Sequence, residues 1–294
     1  MHVLGRLLDP QLVEQLSRLS LSGRRVVDGA AVGQHKSPVK GASIEFRQHR
    51  AYVPGDEPRR VDWRLLARSD RVFVKEYDEE TNLRATTFLD ASGSMAYGAP
   101  ARKFDYATRL SAALGYLMLA HSESAGLAIA GSDSNTWLAP STASDQLTRM
   151  VHLLERAVPR GATVLGRALG HIADRLGRRS LVIVISDCLL PASELLNGLG
   201  RLVHDRHEVV LVRLLHEDEI NFPFQSWVRF SGTEGEAAHM VEAPQVRRKY
   251  IERFERHERQ LHEGCSTLGI ETVRLETSLP LIDAVTAVIR RRRG

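Results

Sequence analysis

The part of the chain that begins at Arg84 alternates short apolar runs with longer segments in which apolar residues recur at helical spacing. Its strongest apolar run, residues 181–185, reads Leu-Val-Ile-Val-Ile without interruption. A continuous run of this kind is typical of a central parallel strand, which is buried on both faces. Because such strands alternate with amphipathic helices, the sequence predicts an α/β fold with a doubly wound, mostly parallel sheet and helices on both faces.

The same alternation places the individual elements of this domain, because strands and helices differ in length and in the period of their apolar residues. We expect strands at residues 86–89, 126–130, 136–138, 181–185, 209–215 and 270–275. We expect helices at residues 104–121, 146–157, 164–176, 195–204, 246–261 and 281–288.

The first 83 residues do not show this alternation. Asp9 and Pro10 predict the start of a short helix, because an N-cap aspartate and a proline in the first turn favour one. Residues 44–46 and 72–74 are β-like and flank a short helical segment at 62–67. We therefore divide the chain into an N-terminal helix with a small β-rich module, residues 1–83, and the α/β domain, residues 84–294.

Composition restricts the class of protein. Hydrophobic residues make up 43% and charged residues 26% of the chain, which is ordinary for a folded protein. The net charge of +4 permits nucleic-acid binding but does not require it. Two cysteines, Cys188 and Cys265, are too few for a disulfide framework or a four-cysteine zinc site.

The sequence also bears on the compartment. No apolar segment approaches the roughly 20 residues that span a bilayer, and Met1 to Pro10 contains no signal-peptide apolar region. The low cysteine content fits a reducing compartment. We therefore expect a cytoplasmic protein without a membrane span.

Oxygen-bearing side chains follow several predicted strands. Asp90, Ser92 and Ser94 come directly after the strand at 86–89, Thr163 precedes a helix, and Asp187 follows the strand at 181–185. Open α/β sheets place their sites at the carboxyl ends of the strands, so these side chains are expected to converge. Hydroxyls with one or two carboxylates suit magnesium, with manganese or calcium as alternatives. The same residues also favour helix caps and turns, which need no metal.

In this arrangement the sequence resembles the von Willebrand factor type A fold, whose metal-ion-dependent adhesion site combines an Asp-x-Ser-x-Ser motif with a later threonine and aspartate. Asp90, Ser92, Ser94, Thr163 and Asp187 match those places. In that family few carboxylates bind the ion directly, and an acidic side chain of the ligand completes its coordination. The resemblance therefore implies a metal-dependent adhesion site.

A longer signature lies upstream and consists of Gly41-Ala42-Ser43-Ile44-Glu45-Phe46, Arg50-Ala51-Tyr52-Val53-Pro54-Gly55-Asp56, Arg60-Val61-Asp62-Trp63, Ala67-Arg68 and Val74-Lys75-Glu76. With these segments, residues 33–187 resemble the bacterial domain of unknown function 58 family. Members resemble partners of MoxR-type AAA+ ATPases that assist the maturation or assembly of other proteins. Many relatives carry membrane-spanning helices before the signature, and glycine is common in the wider fold where Cys188 stands here.

Arg50, Asp56, Arg60, Asp62 and Trp63 belong to this signature. These residues suit a structural cluster of ion pairs and packing contacts that ties the β-rich module to the sheet, and a partner-binding surface is the other interpretation. The sequence does not decide between the two.

We expect a non-catalytic, metal-dependent interaction module that binds an acidic residue of a MoxR-type AAA+ ATPase or of the client protein of that ATPase. The enzyme alternative is a metal-dependent phosphohydrolase, because a strand-end aspartate beside a cation can attack a phosphoryl group. That chemistry usually needs a second acid two residues later, where Ser92 stands. A nucleic-acid-binding protein is the third alternative.

Overall fold

The computed structural model describes residues 7–19, 44–53, 61–69, 72–79, 83–100, 102–131, 135–162, 165–177, 179–233 and 237–291. The chain forms two compact units, which are residues 24–83 and the combination of residues 1–23 with 84–294. No helix in the described ranges has both the length and the apolar composition that crossing a bilayer requires.

The helices and strands follow one another in chain order. The smaller unit contains β1 (Ile44–Ala51), α2 (Trp63–Ser69) and β2 (Phe73–Glu79), and α1 (Pro10–Ser17) precedes it. The larger unit continues with β3 (Arg84–Asp90), α3 (Lys103–Ala120), β4 (Ser124–Ala130), β5 (Asn135–Ser141), α4 (Gln146–Arg156), α5 (Leu165–Ala173), β6 (Leu181–Ser186) and α6 (Ala192–His204). It ends with β7 (Glu208–Leu215), α7 (Glu217–Asn221), β8 (Trp227–Phe230), β9 (His239–Glu242), α8 (Ala243–Thr267), β10 (Glu271–Glu276) and α9 (Leu281–Arg291).

Six strands of the larger unit form one sheet in the order β10-β7-β6-β3-β4-β5. All neighbours are parallel except β4 and β5, which are antiparallel. The strand order reverses between β3 and β6. From β3 the chain adds β4 and β5 toward one edge of the sheet, and it then adds β6, β7 and β10 toward the other edge. This is the crevice in which doubly wound sheets bind ligands. The predicted fold class is confirmed, and the crevice is bordered by the two strands that carry the predicted motifs.

The sheet is covered on both faces, as its continuous apolar strands require. On β6, Val182 and Val184 belong to a core cluster with residues of α5, α6 and α8. Leu181 and Ile183 face the opposite side of the sheet, where they lie beside residues of α3 and α9. Every residue of β6 is buried. The apolar run therefore reflects burial on two faces rather than amphipathic alternation.

The first helix departs from the domain division expected from the sequence. Asp9 caps α1 by accepting a hydrogen bond from the backbone N–H of Leu12 at 2.8 Å, as the sequence predicts. Leu12 and Leu16 are buried, and α1 contacts α3 and α9 of the larger unit. Because these leucines need an apolar surface and α3 and α9 provide one, α1 belongs to the larger unit rather than to the β-rich module.

The smaller unit contains the expected pair of strands. β1 and β2 are antiparallel, and Val61 forms an isolated bridge with Val74 of β2. Asp62 accepts a hydrogen bond from the backbone N–H of Leu65 at 3.1 Å and thereby caps α2. The short helix between the two strands thus begins on a side-chain cap.

Helices α5 and α6 approach each other closely at two glycines. A Cβ atom added to Gly198 would lie 2.6 Å from the carbonyl oxygen of Gly166, and one added to Gly166 would lie 2.8 Å from the carbonyl oxygen of Glu194. Real side chains do not come so near a backbone oxygen, so the contact requires glycine, which has no Cβ atom, at both positions. Since α6 follows the loop after β6, this contact also positions that loop.

We predict that Gly198→Ala lowers the free energy of unfolding by about 1–3 kcal/mol, because the added methyl group must push α5 and α6 apart. Gly170→Ala on α5 is the matched control, since a Cβ atom there meets nothing within 4 Å. Alanine is the better helix former by about 0.5–1 kcal/mol, so the control is expected to be stabilised. Urea denaturation measures both, and equal stabilisation of the two variants would contradict the close contact.

Candidate metal centre

The candidate site begins where β3 and β6 end side by side. Asp90 is the last residue of β3 and Ser186 is the last residue of β6. The hydroxyl of Ser186 donates a hydrogen bond to Asp90 Oδ2 at 2.6 Å, and both side chains are buried. This contact joins the two strands at the point where the strand order reverses.

After Asp90 the chain turns sharply and presents two hydroxyls. The backbone N–H of Ser92 donates to Asp90 Oδ1 at 2.9 Å, and a short 3₁₀ helix, Gly93–Ala96, follows. The hydroxyl oxygens of Ser92 and Ser94 lie 3.1 Å apart, and both residues are buried. The predicted Asp-x-Ser-x-Ser motif therefore brings its three side chains together.

A second loop is attached to this turn through the backbone. The N–H of Gly93 donates to the carbonyl of Gly161 at 2.9 Å, and the N–H of Arg160 donates to the carbonyl of Ala91 at 3.0 Å. Residues up to 162 are therefore held against the motif. Thr163, the fourth predicted ligand, lies outside the described residues, and its role stays a prediction.

The donor set suits a small, hard cation. Magnesium binds six oxygens at about 2.0–2.1 Å in an octahedron, so neighbouring ligand atoms lie about 3 Å apart. The 3.1 Å between the Ser92 and Ser94 hydroxyls matches that separation. Within the described ranges no three His, Cys, Asp or Glu residues are grouped as a metal site. A cation here would therefore depend on hydroxyls together with Asp90, and these residues fit magnesium.

The ionised form of Asp90 is energetically unfavourable when no cation is bound beside it. Burial, together with the negative charge of Asp187, raises the pKa of Asp90 from 3.8 to about 6. The hydrogen bonds from Ser186 and Ser92 act in the opposite direction and lower the pKa. The net increase means that burial and Asp187 dominate. A positive charge beside Asp90 would offset both effects.

Asp187 follows β6 directly and lies in a tightly bonded loop. Its Oδ1 accepts the backbone N–H of Leu189 at 3.2 Å. Between them, Cys188 has a φ of 58°, in the left-handed region that glycine adopts most easily. The N–H of Cys188 donates to the hydroxyl of Ser186 at 2.9 Å, which helps to hold this conformation. The loop thus keeps a glycine-like backbone although cysteine occupies the position.

Sequence reasoning missed Lys103, the first residue of α3. Its side chain is 0% exposed. Its Nζ lies 2.7 Å from Asp187 Oδ2 and 2.6 Å from Glu219 Oε1 on α7. Burial alone lowers the pKa of Lys103, but Asp187 and Glu219 outweigh burial and raise it, so the ammonium stays charged.

Two local signals, one at Lys103 and one at Glu219, bear on this ion pair. A cation at a helix N-terminus is disfavoured by the helix dipole, so Lys103 at the start of α3 needs an acidic partner. Glu219 lies three residues after His216, and its Oε2 accepts the backbone N–H of His216 at 2.8 Å in a capping box. That cap orients the second carboxyl oxygen of Glu219 so that it can accept from Lys103. Neither signal reveals that the two residues meet, because they are 116 positions apart.

The predicted partner-binding residues belong to the smaller unit. Asp62 caps α2, which is a structural role, whereas the side chain of Trp63 is 63% exposed. Arg50 lies in β1, where only the backbone is described, and Asp56 and Arg60 lie outside the described residues. A partner-binding role for this set stays a prediction.

We predict that Asp90→Asn stabilises the metal-free protein at pH 8 by about 1–3 kcal/mol, since a pKa increase of about two units corresponds to roughly 3 kcal/mol. A raised carboxyl pKa means that the folded state disfavours the ionised form. The cost is complete above pH 6 and disappears as the pH falls toward 3.8. Denaturation in the presence of a chelator should therefore show a difference between variant and wild type that shrinks from about pH 6 to about pH 4. A difference independent of pH would contradict the assignment.

Comparison with known proteins gives the family of this chain. It is 27% identical over 298 residues to Uncharacterized protein Rv1480 of Mycobacterium tuberculosis, covering 99% of this chain and 93% of that protein. Among solved structures it is similar to BatB of Bacteroides thetaiotaomicron, with 16% identity, coverage of 71% and 96%, and a TM-score of 0.45. It is also similar to the SpRpn10 VWA domain, with 15% identity, coverage of 72% and 98%, and a TM-score of 0.42. The family model described as "Protein of unknown function DUF58" matches residues 48–260, more than half of the chain, and the chain therefore belongs to the DUF58 family.

Proposed function

We propose that this protein is a non-catalytic interaction module that binds an acidic side chain of its partner through a divalent cation. Asp90, Ser92 and Ser94 are its inner ligands, and Thr163 and Asp187 support them. The observation that carries the proposal is the pair of hydroxyls 3.1 Å apart beside a buried carboxylate at the reversal point of the sheet. That combination provides cation ligands with very little negative charge.

The charge of the donors explains why such a site would select an acidic partner. Asp90 contributes one negative charge, whereas the hydroxyls of Ser92 and Ser94 contribute none. A magnesium ion bound there would keep much of its positive charge and act as a Lewis acid toward a carboxylate. The residues of the chain hold and orient the cation, and the partner supplies the missing acid.

The residue at position 92 favours cation binding over covalent chemistry. A phosphohydrolase that uses a strand-end aspartate as its nucleophile usually requires a second acid two residues later, where Ser92 stands. Asp90 accepts one hydrogen bond at each carboxyl oxygen, from the N–H of Ser92 and from the hydroxyl of Ser186, and these bonds orient the carboxylate. Asp90 is therefore better placed to hold a cation than to attack a phosphoryl group.

The family resemblance provides the partner for a test. DUF58 proteins resemble accessory partners of MoxR-type AAA+ ATPases, so we take the ATPase of this class from the same genome, or its client protein, as the binding partner. We propose that the encounter takes place in the cytoplasm and that magnesium is the resident cation. Manganese and calcium provide comparisons, because both accept oxygen ligands.

We predict that calorimetric titration of magnesium into the metal-free wild type shows saturable binding at one site, and that Asp90→Ala abolishes it. Binding of the MoxR-type ATPase should then require magnesium in the wild type and be lost in Asp90→Ala. Ser111→Ala is the matched control, because Ser111 is buried on α3 and its hydroxyl donates to the carbonyl of Ala107 in the same helix. This control should bind both magnesium and the ATPase.

Other outcomes of that experiment identify the alternatives. Wild-type protein that binds the ATPase equally well in a chelator would contradict the cation-mediated mechanism. Magnesium-dependent release of phosphate from p-nitrophenyl phosphate that is lost in Asp90→Ala would support a phosphohydrolase. Affinity for generic DNA that falls steeply with salt would support nucleic-acid binding.

Two exposed apolar side chains lie in the loops of the site and would contact a partner. Leu189, which is 48% exposed, follows Asp187 by two residues, and Val158, which is 64% exposed, precedes the loop that bonds to Ala91. Apolar side chains beside a charged anchor are typical of binding surfaces.

We predict that Leu189→Ser and Val158→Ser each weaken ATPase binding by at least about tenfold and leave magnesium affinity unchanged, because only side chains outside the donor set are altered. Met240→Ser on β9 is the control, since Met240 is 60% exposed but lies outside these loops. Calorimetry with magnesium and surface plasmon resonance with the ATPase separate the two affinities. A parallel loss of magnesium binding would mean that the loops were distorted.

A further inference from the structure

Asp187 would be the second carboxylate available to the cation, yet both of its oxygens are engaged within the protein. Its Oδ2 lies 2.7 Å from Lys103 Nζ, and its Oδ1 accepts the N–H of Leu189. A carboxylate neutralised by an ammonium attracts a cation much less than a free one does. The contribution of Asp187 to the cation therefore depends on Lys103.

Lys103 is built into the fold at this position. It is completely buried, and its ammonium is held between Asp187 after β6 and Glu219 on α7. The ring of Tyr97 also faces the ammonium, with its centroid 5.8 Å from Nζ. Tyr97 is itself fixed, because its hydroxyl donates to Asp218 of α7 at 2.8 Å. The ammonium thus has a defined place rather than a flexible one.

The charges of the cluster show what this lysine changes. Asp90, Asp187 and Glu219 are three carboxylates, and the Lys103 ammonium is in direct contact with two of them, Asp187 and Glu219. If Asp187 were free, the donors Asp90 and Asp187 could together neutralise a divalent cation. With Lys103 in contact with both Asp187 and Glu219, Asp90 is the one of these three carboxylates that the ammonium does not contact. A cation coordinated by Asp90 without Asp187 would keep much of the charge that attracts an acidic partner.

We propose that Lys103 is a positioning residue that pairs with Asp187 and keeps that carboxylate out of direct coordination. Lys103 thereby lowers the affinity of the site for the cation and raises its affinity for the acidic partner. This inference rests on the proposed function and adds to it the residue that sets the strength of the partner interaction. A purely structural ion pair would predict that its removal weakens every property of the site. The positioning role predicts opposite changes in the two affinities.

The test uses the full chain and a charge-balanced variant, because removing Lys103 alone leaves the buried Asp187 and the half-buried Glu219 without a counter-charge. In the double variant Lys103→Met/Glu219→Gln one cation and one carboxylate disappear together, so the net charge of the cluster is unchanged. Magnesium titration by calorimetry is expected to give an affinity about 10- to 100-fold higher than wild type. At saturating magnesium the ATPase should bind at least about tenfold more weakly.

A thermodynamic cycle separates direct coordination by Asp187 from a general effect of charge. Asp187→Asn is introduced into the wild type and into the double variant. Under the proposal, the gain in magnesium affinity disappears when Asp187 is replaced, whereas a general charge effect would persist. Glu219→Gln alone is expected to lower magnesium affinity several-fold, because Lys103 then keeps more of its positive charge near the site.

The outcomes of these titrations separate the two proposals. A folded double variant that binds magnesium no more tightly than wild type would overturn the role of Lys103 and leave the proposed function intact. If the double variant does not fold, the single variant Glu219→Gln decides, and an unchanged or higher magnesium affinity would overturn the role. Absence of magnesium binding by the wild type would overturn the proposed function together with this inference.

Discussion

The hydrogen bond from Ser186 to Asp90 is the contact on which the site depends, because it joins β6 and β3, the two strands between which the strand order reverses. A buried carboxylate at this position is unfavourable unless several donors or a cation compensate it. Ser186 and the N–H of Ser92 provide part of that compensation. The remaining imbalance raises the pKa of Asp90, so a positive charge beside this carboxylate would be favourable.

The fold could largely be predicted from the sequence because the central strands β3, β4, β6 and β7 are buried on both faces. Residues 181–185 form a continuous apolar run, and all of them lie in β6. Asp90 and Asp187 could be placed at one edge of the sheet, since parallel strands end at the same edge. The position of α1 could not be predicted, because an amphipathic helix shows which face it buries but not which surface covers that face.

Lys103 shows where prediction of the site from the sequence ends. Its contacts with Asp187 and Glu219 span 84 and 116 positions of the chain, and no local pattern encodes such a meeting. A lysine that opens a helix is usually exposed, so its complete burial becomes apparent only in three dimensions. The placement of Asp90, Ser92 and Asp187 at one edge of the sheet could be predicted because they adjoin strands, whereas the lysine that pairs with Asp187 could not.

The close approach of α5 and α6 at Gly166 and Gly198 has a consequence for recognition. Helix α5 follows the loop that bonds to Ala91, and α6 follows the loop that contains Asp187. Two helices in direct backbone contact do not shift independently, so the described ends of the two loops are held relative to each other. A ligand that bound between them would lose little conformational entropy to ordering. The absence of side chains at positions 166 and 198 would in that case contribute to affinity through rigidity.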